Sequence, residues 1–209
     1  MISIVIAAAF VSLVYAYWLR KGVLAQPKGT EQMQKVWKGI RDGSLSYLDR
    51  QLRTIIPILL GLSFLLFFTV YITTPEAGTA ELFGIDITDP PEVYQAALAH
   101  ARLVVGLGRA IAFIFGASFS LIVGQLGMRI AVESNIRVAQ ATREGDNRYN
   151  RALTISYRGG TFTGMLTDGL GLLGGTMIFI IYGLAAPDAL LGFGLGGTLL
   201  ALFMRVGGG

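Results

Sequence analysis

Residues 54–74 read TIIPILLGLSFLLFFTVYITT, a run of 21 positions without a charge. A helix rising 1.5 Å per residue needs about 20 apolar residues to cross about 30 Å of hydrocarbon, so this stretch decides the fold class. Four further runs share its character. Residues 1–19 (MISIVIAAAFVSLVYAYWL) are uncharged and end at Arg20-Lys21, and residues 110–128 are uncharged as well. Residues 159–186 hold a single charge, Asp168, and residues 189–204 end at Arg205. The first run has no basic leader and is followed by positive residues, so it reads as a retained span instead of a secretory signal.

Composition agrees. Of the 209 residues, 53% are hydrophobic and only 14% charged, against about 25% charged in soluble domains; the mean hydropathy is +0.61. Too few charges remain to coat a soluble globule, which excludes a cytosolic enzyme, and such hydrophobicity excludes disorder. The absence of cysteine removes disulfides, thiolate zinc sites and iron–sulfur clusters, and one histidine removes any multi-histidine metal site.

The connecting segments orient the spans. Residues 20–53 carry eight basic side chains (Arg20, Lys21, Lys28, Lys35, Lys38, Arg41, Arg50, Arg53) against three acids. Residues 75–109 carry five acids against Arg102 and Arg109, residues 129–158 carry six arginines against three acids, and the link at Pro187-Asp188 has no basic residue. Basic content alternates high, low, high, low, and the rule that positive loops stay inside makes the rich loops cytoplasmic. The expectation is an all-α membrane protein with five transmembrane helices in one region, 1–209. Its N-terminus is outside and its C-terminus cytoplasmic, with cytoplasmic loops at about 20–53 and 129–158 and an outer loop at about 75–109. The net charge of +4 is then a topology signal. It lacks a stacking platform for nucleic acid, and the expected surroundings are the lipid bilayer.

In the first cytoplasmic loop, Met33, Val36, Trp37, Ile40, Leu45, Leu48 and Leu52 recur at helical spacing after a capping Thr30, which predicts an interfacial amphipathic helix broken near Gly43. The outer loop ends in a predicted helical tail over 92–99, followed by His100, which reads as a structural or solvated residue.

Small residues recur four apart: Gly116, Ser120 and Gly124; Gly160 and Gly164; Gly192 and Gly196. In lipid such faces let helix backbones approach closely. Gly192 to Gly197 also matches the dinucleotide pattern G-x-G-x-x-G, but no strand precedes it and it lies inside an apolar run, so it reads as packing. Asp168 falls on the small-residue face of its span. It is either a carboxylate on an ion path or a neutral, hydrogen-bonded acid between helices. Stepping back from Arg205 by helical turns reaches Ala201, Thr198 and Gly194, a stripe suited to an inner or closely packed helix. Arg205 itself fits snorkelling at the cytoplasmic edge or a place on an ion path.

The ending Leu200-Ala201-Leu202-Phe203-Met204-Arg205-Val206-Gly207-Gly208-Gly209, preceded by Gly192 to Thr198, closely resembles the fifth span of the membrane-bound, ion-pumping pyrophosphatases. Further matches run through Gly29 to Met33, Gly43 to Thr54, Gly116 to Ser120, Gly127-Met128, Asn135 to Arg137 and Tyr157 to Gly160. The resemblance covers nearly all of the chain except about 75–100. It implies a sixteen-span homodimer that hydrolyses magnesium pyrophosphate on the cytoplasmic side and drives H⁺ or Na⁺ outward. It also implies that Arg205 lies on the ion pathway beneath the hydrolytic site, and it assigns Asp168 no role. The family's pyrophosphate- and Mg²⁺-holding motifs follow the Gly207-Gly208-Gly209 segment. The 209 residues are therefore expected to be an N-terminal part of the pump with no catalytic residue, no metal ligand and no activity alone, in the cell membrane. The rival expectations are a small channel or transporter lined by Asp168 and Arg205, and a structural membrane subunit packed through its glycine faces.

Overall fold

The computed structural model describes residues 2–72, 91–143, 147–183 and 186–208, without the side chains of residues 71, 91–94, 96, 97 and 206–208. The described residues form five long helices: α1 (Ile2–Leu24), α2 (Glu31–Ile72), α3 (Pro91–Ala141), α4 (Arg148–Tyr182) and α5 (Ala186–Gly208). All five are long and apolar enough to cross a membrane. The outer-loop reading over 75–90 lies outside the described residues. Its helical tail belongs to α3, which opens on Pro91, a residue whose missing N–H is no loss in a first turn.

Three helices are much longer than a bilayer requires. α2, α3 and α4 have 42, 51 and 35 residues, or roughly 50 to 75 Å at 1.5 Å per residue, so each must project beyond the hydrocarbon. The segments expected as cytoplasmic loops, 20–53 and 129–158, are therefore mostly helix. Between the described helices of these segments only residues 25–30 and 142–147 are left. The expected break near Gly43 is absent, because α2 runs through it. A Cβ at Gly43 would meet nothing within 4 Å, and an exposed helical glycine costs about 1 kcal/mol relative to alanine without ending the helix.

The chain divides into two compact units, Met1–Arg53 with Leu121–Leu173 and Thr54–Ser120 with Gly174–Gly209. In the first, Ala16, Leu19 and Val23 of α1 pack with Ile130 and Ala141 of α3 and with Ala152, Ile155, Phe162 and Leu166 of α4. Gly29 leads into α2 with φ +79°, and a side chain there would strike Gln140 Oε1 at 2.5 Å. The positive φ is what favours glycine at this turn, since the Gln140 side chain could move aside.

The end of α1 in this unit is held by Arg137 of α3, which is 3% exposed. Its Nε donates to the Gln26 carbonyl at 3.0 Å and its Nη2 to the Leu24 carbonyl at 3.1 Å. The Leu24 carbonyl is among those a helix end leaves without partners, and Gln26 lies just beyond that end. Its Nη1 donates to Glu133, at 2.7 Å to the backbone and 2.5 Å to the carboxylate, and Lys28 also reaches that carboxylate at 3.4 Å.

In the second unit, Ala112, Ile178 and Ala189 form the buried centre, with Phe115, Tyr182, Leu190 and Phe193 packed around it. Here α2 and α3 run antiparallel. Ser63 Oγ donates to the Ala110 carbonyl at 3.1 Å, while the Gly106 position abuts Phe67.

Candidate functional site

The second unit presents α5 in a fixed register. Gly192 lies directly on the Arg109 carbonyl of α3, Gly196 on the Phe113 carbonyl, and Gly116 of α3 on the Phe193 carbonyl. A Cβ at any of the three would overlap backbone oxygen, so only hydrogen fits, and the approach permits Cα–H···O contacts. Since 109 faces 192 and 113 faces 196, α3 and α5 run parallel. The G-x-G-x-x-G pattern thus lies within a helix, where Gly192 of the pattern and Gly196, at one of its variable positions, form a backbone seam.

Charge reinforces the same seam. Arg109 donates through Nη2 to Asp188 Oδ1 in the first turn of α5, and through Nη1 to Thr69 Oγ1 of α2 at 3.4 Å. The Thr69 hydroxyl in turn donates to the Leu66 carbonyl at 2.6 Å. The pair is largely buried, with side-chain exposures of 13% and 24%. Asp188 also sits where a helix N-terminus favours a negative charge. One arginine thereby ties α2, α3 and α5 together. Sequence reasoning missed this role and took both residues as loop charges. The available signal was an arginine next to an apolar run, paired with an acid opening the next helix; their separation of 79 residues hid the pairing.

Among the described residues the other face of α5 is open. Gly194, Thr198, Ala201 and Arg205 are all exposed, whereas Ala189, Gly192, Gly196 and Leu200 are buried. At 3.6 residues per turn the two sets are roughly 165° apart. Gly194 has nothing within 4 Å of a Cβ position. Thr198 Oγ1 donates within the helix, to the Gly194 carbonyl at 2.8 Å or the Leu195 carbonyl at 3.2 Å, which leaves its lone pairs facing outward. Arg205 stands in the last turn of α5 and forms no ion pair among the described residues.

The remaining expected site residues are more dispersed. Asp168 of α4 is exposed and unpaired among the described residues, in the first unit. Among the described residues nothing lies within 4 Å of a Cβ position at Gly160 or Gly164, whereas a Cβ at Gly159 would come within 2.6 Å of Ser134 Oγ and one at Gly169 within 2.7 Å of Leu13. Ser120 and Gly124 are half-buried.

Among the described residues no group of three or more His, Cys, Asp or Glu side chains could hold a metal ion. Mg²⁺ takes hard oxygen ligands in near-octahedral geometry, and these residues do not fit it.

Comparison with known proteins bears on this arrangement. A family model described as inorganic H⁺ pyrophosphatase matches residues 10–209. A "K(+)-insensitive pyrophosphate-energized proton pump" of Chloroflexus aurantiacus is 47% identical over 98% of this chain and 24% of its own length. Proteins of the same name from Streptomyces coelicolor and Methanosarcina mazei are 36% and 33% identical over 100% and 97% of the chain, again 24% of their own length. The chain thus spans about a quarter of these relatives.

Proposed function

The chain belongs to the inorganic H⁺ pyrophosphatase family and is a multi-pass integral membrane protein, and from that premise we propose that it supplies the first five spans of a pump. In this reading pyrophosphate hydrolysis on the cytoplasmic side drives protons outward across the cell membrane. The names of the relatives favour H⁺ over Na⁺ and independence from K⁺. The alternation of Lys and Arg along the chain supports an outside N-terminus and a cytoplasmic C-terminus, and the parallel course of α3 and α5 suits an alternating bundle. The complete pump is a homodimer with pyrophosphate as its substrate. Mg²⁺ neutralises phosphate charge when bound, on residues other than those described here, and the 209 residues alone hydrolyse no pyrophosphate.

One observation carries the reading: α5 is fastened on one face by glycine-to-carbonyl contacts and leaves a polar stripe ending in Arg205 on the other. A helix held that firmly can present Thr198 and Arg205 to an ion path with little loss of register. Arg205 then contributes a fixed positive charge that steers the proton's route, and Asp168 is a second, separate acid to test.

Replacement of Arg205 separates this from snorkelling. If it lies on the path, R205A in the complete protein lowers pyrophosphate-driven proton uptake by about tenfold, ~1.4 kcal/mol at the barrier, and R205K recovers only part of it. If Arg205 merely snorkels, R205K restores uptake fully, because lysine snorkels as well. That result would remove Arg205 from the pathway.

A further inference from the structure

The first unit contains a cavity of about 370 Å³ lined by three arginines from three helices: Arg20 of α1, Arg41 of α2 and Arg129 of α3. Its lining also includes Leu24, Leu48 and Leu126. We propose that this cavity binds the phosphate of an anionic phospholipid headgroup, with the leucines receiving the start of an acyl chain.

The charge balance points to an anion. Glu133 also lines the cavity, but its carboxylate is already engaged by Arg137 and Lys28. None of the three arginines forms an ion pair with an acid among the described residues. Arg41 does lean on the Trp37 ring at 5.5 Å, a contact that leaves the guanidinium charge uncompensated. The three arginines are exposed, so water screens their mutual repulsion, but three positive charges brought to one cavity from separate helices leave it with a net attraction for an anion. Setting membrane orientation requires positive residues near the ends of spans, not their convergence on one cavity.

Two features identify the anion's source. Arg20 follows the uncharged run 1–19 and Arg129 follows the uncharged run 110–128, so both stand where apolar helix gives way to polar, the level of lipid phosphates. The leucines in the lining offer nothing to a free phosphate, whereas they suit a ligand with a hydrocarbon tail. Guanidinium groups match phosphate oxygens in paired hydrogen bonds, so a phosphodiester fits better than a carboxylate.

The test is native mass spectrometry of the complete protein in detergent, titrated with phosphatidylglycerol, cardiolipin or phosphatidylcholine. The account expects one anionic lipid retained with at least about tenfold preference over phosphatidylcholine. Each of R20Q, R41Q and R129Q should weaken it about fivefold, and the triple variant on the order of 100-fold. R148Q with R151Q, exposed charges outside the cavity, should leave binding unchanged. The single substitutions keep the test decisive should the triple variant fail to assemble. Equal retention of phosphatidylcholine, or an unchanged affinity in the glutamine variants, would overturn the proposal. So would displacement of the lipid by millimolar inorganic phosphate, which would assign the cavity to a soluble anion. None of these readouts involves pyrophosphate hydrolysis, so the lipid site and the pump reading stand or fall separately.

Discussion

Gly192 and Gly194 lie two residues apart on the same helix, yet their surroundings are opposite. A methyl at Gly192 would overlap the Arg109 carbonyl of α3, whereas one at Gly194 would meet nothing within 4 Å. Both were glycines in an apolar run, and composition alone treats them alike. The difference shows that the glycine content of α5 serves two purposes: a backbone seam on one side and an open, small-residue stripe leading to Arg205 on the other. A helix used in this way is rigid in register and accessible along one face.

The sharpest way to break the comparison is to fill one position of the seam, Gly196, and one of the stripe, Gly194. Gly196→Val forces two methyls onto the backbone of α3, where the facing oxygen belongs to Phe113 and cannot rotate away. Overpacking of this kind costs about 3 kcal/mol or more, and the variant should lose most of its folded yield and thermal stability in detergent. Gly194→Val should change stability by only about 0.5 kcal/mol, since an exposed helical glycine gives up little when replaced. Equal losses at the two positions would mean that the seam and the stripe are not distinct.

A smaller effect is expected at the charged end of the seam. Arg109→Met leaves Asp188 largely buried without its partner, and Asp188→Asn leaves Arg109 with a neutral acceptor. Breaking a buried pair from one side costs about 3 kcal/mol or more; with Asp188 still 24% exposed, the cost of Arg109→Met falls nearer 2 kcal/mol. Joining the two substitutions should recover about 1 kcal/mol in a thermal-melt double-mutant cycle. Additive losses would show that the two residues act independently.

The smallest effect belongs to the face of α4 that sequence spacing had marked for packing. Gly164→Ala places a methyl in open space and should stabilise the helix by about 0.5 to 1 kcal/mol through propensity. A loss in the melting temperature of the complete protein would show that a further helix covers that face.

How much of this was legible follows from the physics of each signal. The five spans were legible because bilayer thickness imposes a minimum apolar length, which residues 54–74 meet without a charge. The full extent of α2, α3 and α4 was not, because the polar half of a long helix carries the same lysines, arginines and acids as a cytoplasmic loop. Helical periodicity between Met33 and Leu52 revealed part of α2, and Gly43 was over-read as a break. Gly192 and Gly196 were recognised as small-residue neighbours from spacing alone. Spacing does not say which helix lies opposite, however, so Gly160 and Gly164 looked the same as the pair on α5. The links of Arg109 to Asp188 and of Arg137 to the end of α1 are tertiary. They join residues 79 and 111 to 113 positions apart, and no local pattern announces them.

The central claim is that these helices belong to a pyrophosphate-energized proton pump. Its most direct test is quenching of a pH-sensitive dye in inverted membrane vesicles containing the complete protein, started by magnesium pyrophosphate with K⁺ and Na⁺ omitted. The account predicts rapid acidification of the vesicle lumen, collapsed by a protonophore and abolished when pyrophosphate is withheld. Pyrophosphate consumption no faster than a buffer blank, with no change in luminal pH, would contradict it.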